Sequence, residues 1–298
     1  MSSTRYVDID LSGLPAPDIV ETIEFEEILS ERIQELIVRD PEFSAIVESD
    51  PIHKVEEVNA YREIILRQRV NDAARAVLLA KAANNDLDHI AALVDVKRKV
   101  LQEADPTKIP PIPKILESDT DLRKRTLLSW ERMSTAGASG AYLFWGLSAD
   151  KKVRDVSVYS PTPGVVRVSV LSTDGKGEAD QELLDKVNKV LNDEDIRPLT
   201  DKVEIQSAKI IEYQIVAEIT IKEGVSSDIV IKEAIKNAQA YTEKKHKLKE
   251  NISVSGIYSA IHVQSGTVTV KLISPTQDIS SKDDSAPYCT KIDIKEAK

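Results

Sequence analysis

Cysteine is almost missing from this sequence. Cys289 stands alone, which excludes an intrachain disulfide and any metal site built on several thiolates. Aromatic residues make up only 4% of the chain, so its cores must be filled by Ile, Leu, Val and Ala. No apolar run approaches the ~20 residues that a membrane-spanning helix needs. The opening Met1-Ser2-Ser3-Thr4-Arg5-Tyr6 has no apolar segment of a secretion signal. The expectation is therefore a protein kept in a reducing cytosol, or in something assembled there. Basic blocks are also missing, apart from Lys244-Lys245-His246-Lys247, which falls in a helical stretch and reads as a solvated face. With 50 acidic side chains against 40 Lys and Arg, the formal charge is -10. That sign opposes phosphate binding and argues against a nucleic-acid partner.

What is present is ordinary globular composition, 41% hydrophobic over 298 residues, which suggests two or three domains. The first third reads as helix. Asp18 and Glu21 have capping-box spacing, and Ile28, Leu29, Ile33, Leu36 and Ile37 form an apolar stripe that Asp40-Pro41 ends. Asp50-Pro51 restarts a helix, with Asp as N-cap and Pro at the first position. From Pro51 to about Asn84 there is neither Gly nor Pro, and apolar residues recur every three or four positions. Unbroken, that helix would be roughly 50 Å long, longer than a small core needs. Asn84-Asn85 marks a turn before a short helix carrying Leu87, Ile90, Leu93 and Val94.

Pro106, Pro110, Pro111 and Pro113 lie close together and read as a stiff extended linker. Helices are expected at about Asp119–Arg132 and Ser139–Ala149, joined by the loop Ser134-Thr135-Ala136-Gly137. The pattern then changes to period two. Val153, Val156 and Val158 lead to Pro161-Thr162-Pro163-Gly164, and Val166, Val168 and Val170 follow, a hairpin with a loop longer than the tightest type. A helix at about Asp180–Asn192 and a strand near Val203–Ser207 complete a ββαβ unit. A second α+β unit begins with the alternating strand Ile211–Ile221 and continues through helices near Ser227–Lys247 and Ser253–His262 to strands near Thr267–Ile273 and Cys289–Ile294. The fold class expected is α+β: a helical N-terminal region over 1–105, a proline-rich linker over 106–117, and two small α+β modules over 118–207 and 208–298.

Chemistry is hard to find. Gly175-Lys176-Gly177-Glu178-Ala179-Asp180 sits between a strand and a helix, but it lacks the third glycine of a dinucleotide loop and places carboxylates where a pyrophosphate must lie. Gly137-Ala138-Ser139-Gly140 is part of a nucleophile elbow at most, since Ala141 replaces its last glycine and helices flank it; Ser139 is better read as a cap. His53, His89, His246 and His262 are scattered without metal-ligand spacing. The triplet Asp193-Glu194-Asp195 repels itself into solvent, and Cys289 reads as packing in a strand. No catalytic, cofactor-binding or metal-binding residue is assigned, no cofactor is expected, and the chain is expected not to be an enzyme.

Three stretches carry a resemblance. The first is VNAYREIILRQRVNDAARAVLLAKAANNDLDHIAALVDV, ending at Val96. The second is STAGASGAYLFWGLSADKKVRDVSV, Ser134–Val158, with the proline-glycine turn Pro161–Gly164 after it; the third is IRPLTDKV, Ile196–Val203. Together, in this order and spacing, they resemble the baseplate assembly protein J family, the wedge subunit of contractile phage tails. Asn84-Asn85 stands where family members often carry Thr-Gly, and Asn tolerates the left-handed backbone almost as Gly does.

The resemblance implies a structural protein of the virion tail baseplate, assembled in the host bacterial cytoplasm. It would form a ring around the central hub and spike through contacts with other copies of itself. It would bind other wedge proteins directly and the hub or spike indirectly, with no nucleic acid and no membrane. Tyr61, Arg62, Arg67 and Arg69 on the long helix are candidates to reach a neighbouring chain, arginine being favoured at interfaces. The alternative is pairing with Glu56, Glu57, Glu63 or Asp72 on the same helix. Arg197, Pro198 and Asp201 are expected to shape the turn into the next strand, with Asp201 accepting backbone N–H bonds. The strand Ile211–Ile221 is a second candidate contact, through an unpaired edge. Two alternatives remain: a non-catalytic tail-fibre adaptor module, and, less favoured, a tail-carried peptidoglycan hydrolase, for which no carboxyl in a pKa-raising environment is identified.

Overall fold

Apolar residues three and four apart make the first part of the chain helical, and strict alternation makes much of the remainder sheet. The structure, a computed structural model, describes residues 11, 14, 15, 17, 19–133 and 139–297. They fall into two compact units, one within Met1–Arg98 and Ser118–Thr126, the other within Lys99–Glu117 and Leu127–Lys298. Asp18 and the loop Ser134–Gly137 lie outside the described residues.

In the first unit, α1 (Phe25–Arg39) packs against α2 (Pro51–Ala76). Ile28, Leu29 and Ala60 are the buried centre of that contact, flanked by Ile23, Phe25, Ile33 and Ile64. Asp40 is extended before Pro41 and ends α1, as proline sterics require. Glu21 lies before the helix, in backbone held by Asn71: the Asn71 side chain accepts from the Glu21 N–H at 3.0 Å and donates to its carbonyl at 2.9 Å. Asp50 occupies the N-cap position of α2, but its carboxylate turns back to accept from the Val47 N–H at 2.9 Å.

The long helix is shorter than expected, about 39 Å at the usual rise for its 26 residues. It stops at Ala76 because the next turn closes on itself, with Lys81 and Ala82 donating to the Leu78 carbonyl. Arg123 of α4 (Asp119–Leu128) then takes the carbonyls of Leu79 and Ala82, each at 2.7 Å. Asn84 has φ 51 and opens α3 (Asn84–Ala92), so the asparagine stands where the left-handed conformation is used. Asp119 accepts from the Asn84 N–H at 3.0 Å and pairs with Arg98, which also reaches Asp88. The Asn84 N–H first, and the Arg98 guanidinium after it, hold the Asp119 carboxyl below its ordinary range.

The second unit corrects the reading of the proline segment. β1 (Val100–Gln102) pairs antiparallel with β2 (Ile115–Leu116), and Asp105 bridges Ile112. The segment therefore closes a hairpin arm instead of running extended, because the strands on either side of the prolines pair with each other. The arm's tip is open: Ile109 is 98% exposed.

The central module follows. α5 (Ser139–Ser148) buries Tyr142, Phe144 and Leu147, and a Cβ at Gly146 would come within 3.1 Å of Val156, so glycine lets this helix lie close to the sheet. β3 (Val153–Thr162) and β4 (Val165–Ser172) are joined by Pro163-Gly164 alone, with Thr162 opposite Val165 and Gly164 at φ 79. This is the tightest hairpin, not the longer loop expected, and glycine at positive φ makes it accessible. α6 (Gln181–Leu191), capped by Asp180, buries Leu183, Val187 and Leu191, and β5 (Lys202–Ser207) then lies parallel to β4.

In the C-terminal module, β6 (Lys209–Ile221) is followed by α7 (Ser227–Lys245), α8 (Val254–Ile261), β7 (Thr267–Ser274) and β8 (Ser285–Glu296). The sheet order is β7-β6-β8, so β6 is the central strand, antiparallel to one neighbour and parallel to the other. The open edge expected on Ile211–Ile221 is narrower than that: β8 pairs with Lys209–Ile219 along one flank, and β7 pairs with Val216–Ile221 along the other. The two modules share a small core of Leu171, Ala208, Leu248 and Ala286. Across it, Arg154 donates to the carbonyls of His246 and Glu243, and Asp155 accepts from the Leu248 N–H at 3.0 Å.

Candidate functional site

The face of α2 turned away from α1 carries Val55, Val58, Ile65, Leu66 and Val70, all exposed. A helical period of 3.6 puts Arg62 and Arg69 among them. Neither arginine has an ion-pair partner among the described residues, and Tyr61 at the border is 60% exposed. A solvent-facing helix normally shows charge of both signs there, so an apolar stripe with two unpaired guanidinium groups is unusual.

Arg67 has a different setting. Its guanidinium meets Glu63 at 2.6 Å and Glu21 at 3.4 Å. Glu63 also takes Arg32 of α1 at 3.1 Å, and Arg32 reaches Glu56 at 2.9 Å. The Arg67 hydrogen bond first, with Arg32 adding to it, holds the Glu63 carboxyl below the usual range. Of the four interface candidates, then, Tyr61, Arg62 and Arg69 point outward. Arg67 is engaged within the chain, through the same-helix pairing given as the alternative and through one contact ahead of α1.

The second set, Arg197, Pro198 and Asp201, lies in the loop between α6 and β5. Arg197 donates to the Asp201 carbonyl at 2.9 Å. The Asp201 carboxylate accepts the hydroxyl of Tyr142 at 2.9 Å and that of Thr200 at 3.4 Å. It takes hydroxyls, not the backbone N–H groups expected, because α5 presents its tyrosine directly beneath the loop. Tyr142 is 1% exposed, and burial first, then the Asp201 carboxylate, push its hydroxyl pKa well up. The loop is thus fastened from below while its tip, Leu199, stands 98% exposed. Arg197 and Asp201 were legible in the sequence as turn residues, but Tyr142 was not, since it acts from another element, and neither was the leucine, since one apolar residue in a turn has no periodicity to betray it.

The weak chemical motifs dissolve on inspection. Gly177, at φ 109, packs against Leu171 and His246, and the Asp180 carboxylate caps α6, so these residues of the glycine-rich loop serve packing and capping. Ser139 is the first residue of α5. A shallow cleft of about 600 Å³ in the first unit is lined by Ile33, Ile46, Val47, Glu48, Ser49 and His53. Among the described residues no cluster of three His, Cys, Asp or Glu side chains is placed to hold a metal ion, and no helix is long and apolar enough to cross a membrane.

Comparison with known proteins bears on this surface-dominated picture. Family models match three successive segments: the Baseplate J-like N-terminal domain over residues 48–105, the Baseplate J-like central domain over 134–207, and the Baseplate J-like protein C-terminal domain over 213–295. The chain is 46% identical over 289 residues to Baseplate protein J of Escherichia phage P2, covering 95% of each. Among solved structures, the cryo-EM structure of the anti-feeding prophage baseplate, 6-fold symmetrised, aligns with a TM-score of 0.45 at 11% identity, over 64% of this chain and 50% of that one. The outward face of α2 falls inside the first matched segment, and the Arg197–Asp201 loop inside the second.

Proposed function

The chain belongs to the Baseplate J family, and on that premise we propose that it is a wedge subunit forming a ring around the central hub and spike of a contractile tail. As a member of this family it is a structural component of a phage baseplate and not an enzyme. The finer reading, ring formation and direct binding of other wedge proteins, draws its support from one observation: the apolar outward face of α2 with Arg62 and Arg69 unpaired. Exposed apolar patches of this kind mark contact sites, and arginine supplies planar, multidentate bonds at them. The regions 1–105, 118–207 and 208–298 are proposed as its working modules, with the 106–117 arm between the first two. Assembly is proposed to take place in the host cytoplasm.

The test is co-expression with the adjacent tail genes and electron microscopy of the co-purified material. Ring-shaped or wedge-shaped particles containing several copies of the chain are expected. Arg62→Ala with Arg69→Ala should reduce particle yield while leaving the melting temperature of the isolated chain unchanged. Fibre proteins that co-purify with single copies, and never a ring, would instead favour the adaptor reading.

A further inference from the structure

The 192–201 loop combines three properties that its role as a turn does not require. Its backbone is closed by Ile196 and Arg197 both donating to the Asp193 carbonyl, at 3.1 and 2.9 Å, and by Asp201 donating to that of Pro198 at 3.1 Å. With Tyr142 and Arg197 bonded to Asp201 beneath it, its shape is set before any partner arrives, which lowers the ordering cost of binding. The pre-set shape displays Leu199 at 98% exposure, where a turn needs only a polar residue. In the same loop Asp193, Glu194 and Asp195 are exposed, and none has a cation paired to it among the described residues. The Asp193 carboxylate accepts only the Asp195 N–H, at 3.0 Å, and a rigid apolar knob beside three carboxylates without a cation fits an apolar surface that carries unpaired cations. One such surface has already been described: the outward face of α2, where Val58, Ile65, Leu66 and Val70 surround Arg62 and Arg69.

We propose that the 192–201 loop of one copy docks on the outward face of α2 of a second copy, with Leu199 seated on the apolar stripe and Asp193–Asp195 meeting Arg62 and Arg69. This rests on the reading that the chain self-associates in a ring. It supplies the feature a ring needs and a dimer does not: two different surfaces per copy, joined head to tail. The edge of β6 is a weaker candidate for the second surface, because β8 covers one flank and β7 covers Val216–Ile221 of the other. The ion pairs at the rim set register and encounter rate, and the leucine supplies the desolvated centre.

Charge exchange tests the contact in the full chain co-expressed with the neighbouring tail proteins. Glu194→Lys with Asp195→Lys, or Arg62→Glu with Arg69→Glu, should each lower the yield of multi-copy particles at least ~10-fold by sedimentation, about 1.4 kcal/mol per factor of ten. All four substitutions in one chain should restore it, and melting temperatures should stay level throughout because every altered side chain is at the surface. Independently, Leu199→Cys and Leu66→Cys chains, both carrying Cys289→Ser, should cross-link as a mixed dimer under oxidation, and neither should do so alone. If particles form normally with either reversed pair, or the combined chain fails to recover and no mixed dimer appears, this contact is wrong while ring formation stands. If the unaltered chain never gathers into multi-copy particles, the ring reading and this contact fall together.

Discussion

Asn71 uses its side-chain amide as a strand uses a backbone unit, accepting from and donating to the same residue, Glu21. It is 2% exposed, so a replacement of similar size without hydrogen-bonding groups leaves the Glu21 N–H and carbonyl with nothing but occasional water. Asn71→Leu should lower unfolding stability by about 1–3 kcal/mol, the cost of stranding buried polar groups. The check is a urea titration, in which the midpoint falls and the slope holds; an unchanged midpoint would mean that the pre-α1 segment contributes nothing. His246 makes a second residue-scale case. It is buried at the join of the two modules, packed edge-on to Tyr288, beside Gly177 and close to Arg154, with Glu243 and Asp155 as the facing carboxylates. Burial first, then the Arg154 charge, lowers its pKa, and the carboxylates oppose them. A lowered folded-state pKa means that the fold prefers neutral imidazole. Its contribution is then complete above the ordinary histidine value near 6.5 and lost as pH falls below it. The urea midpoint of the native chain should drop more steeply between about pH 7.5 and pH 5.5 than that of His246→Leu; parallel curves would remove His246 from the explanation.

The hairpin arm, as an element, is held at its base and bare at its tip, with Lys108 and Ile109 both exposed. Limited trypsin digestion should cut first after Lys108, where the backbone is accessible, and the two fragments should stay together on gel filtration because the β1–β2 ladder spans the cut. First cleavage within Pro51–Ala76 would contradict the α2 assignment. The arm also shows what the sequence could disclose about elements. Proline density announced a constrained segment, yet gave no sign that its flanks pair. The periods of 3.6 and 2 located α5 to α8 and β3 to β7 within a few residues, because those elements bury one continuous face each. The end of α2 was hidden for a different reason: it depends on Arg123, 41 residues beyond Ala82, capturing carbonyls that no local pattern marks. The alternation along β6 was equally visible, but alternation reports which faces are buried and says nothing about whether the edges are paired. Its second partner, β8, comes too late in the chain for local reading. Of the candidate site, the arginines on α2 were legible as a stripe, while the division between the outward pair and Arg67 required the position of Glu21.

At the scale of the whole molecule, the candidate features among the described residues are exposed faces. A structural chain of this family should leave a peptidoglycan zymogram uncleared. Clearing that disappears on a single Glu or Ser substitution would reopen the hydrolase alternative. The parallel pairing of β8 with β6, from Lys209 opposite Ser285 to Ile219 opposite Glu296, has a consequence for the timing of synthesis. β6 is made some seventy residues before the strand that completes its sheet, so every nascent chain passes through a period in which that strand has a bare flank. A product terminated after β6 but before Ser285 keeps that flank, and an unpaired strand of this kind is prone to aggregation or proteolysis. Only a chain translated through β8 closes the sheet, so the order of translation itself sets incomplete copies apart from finished ones.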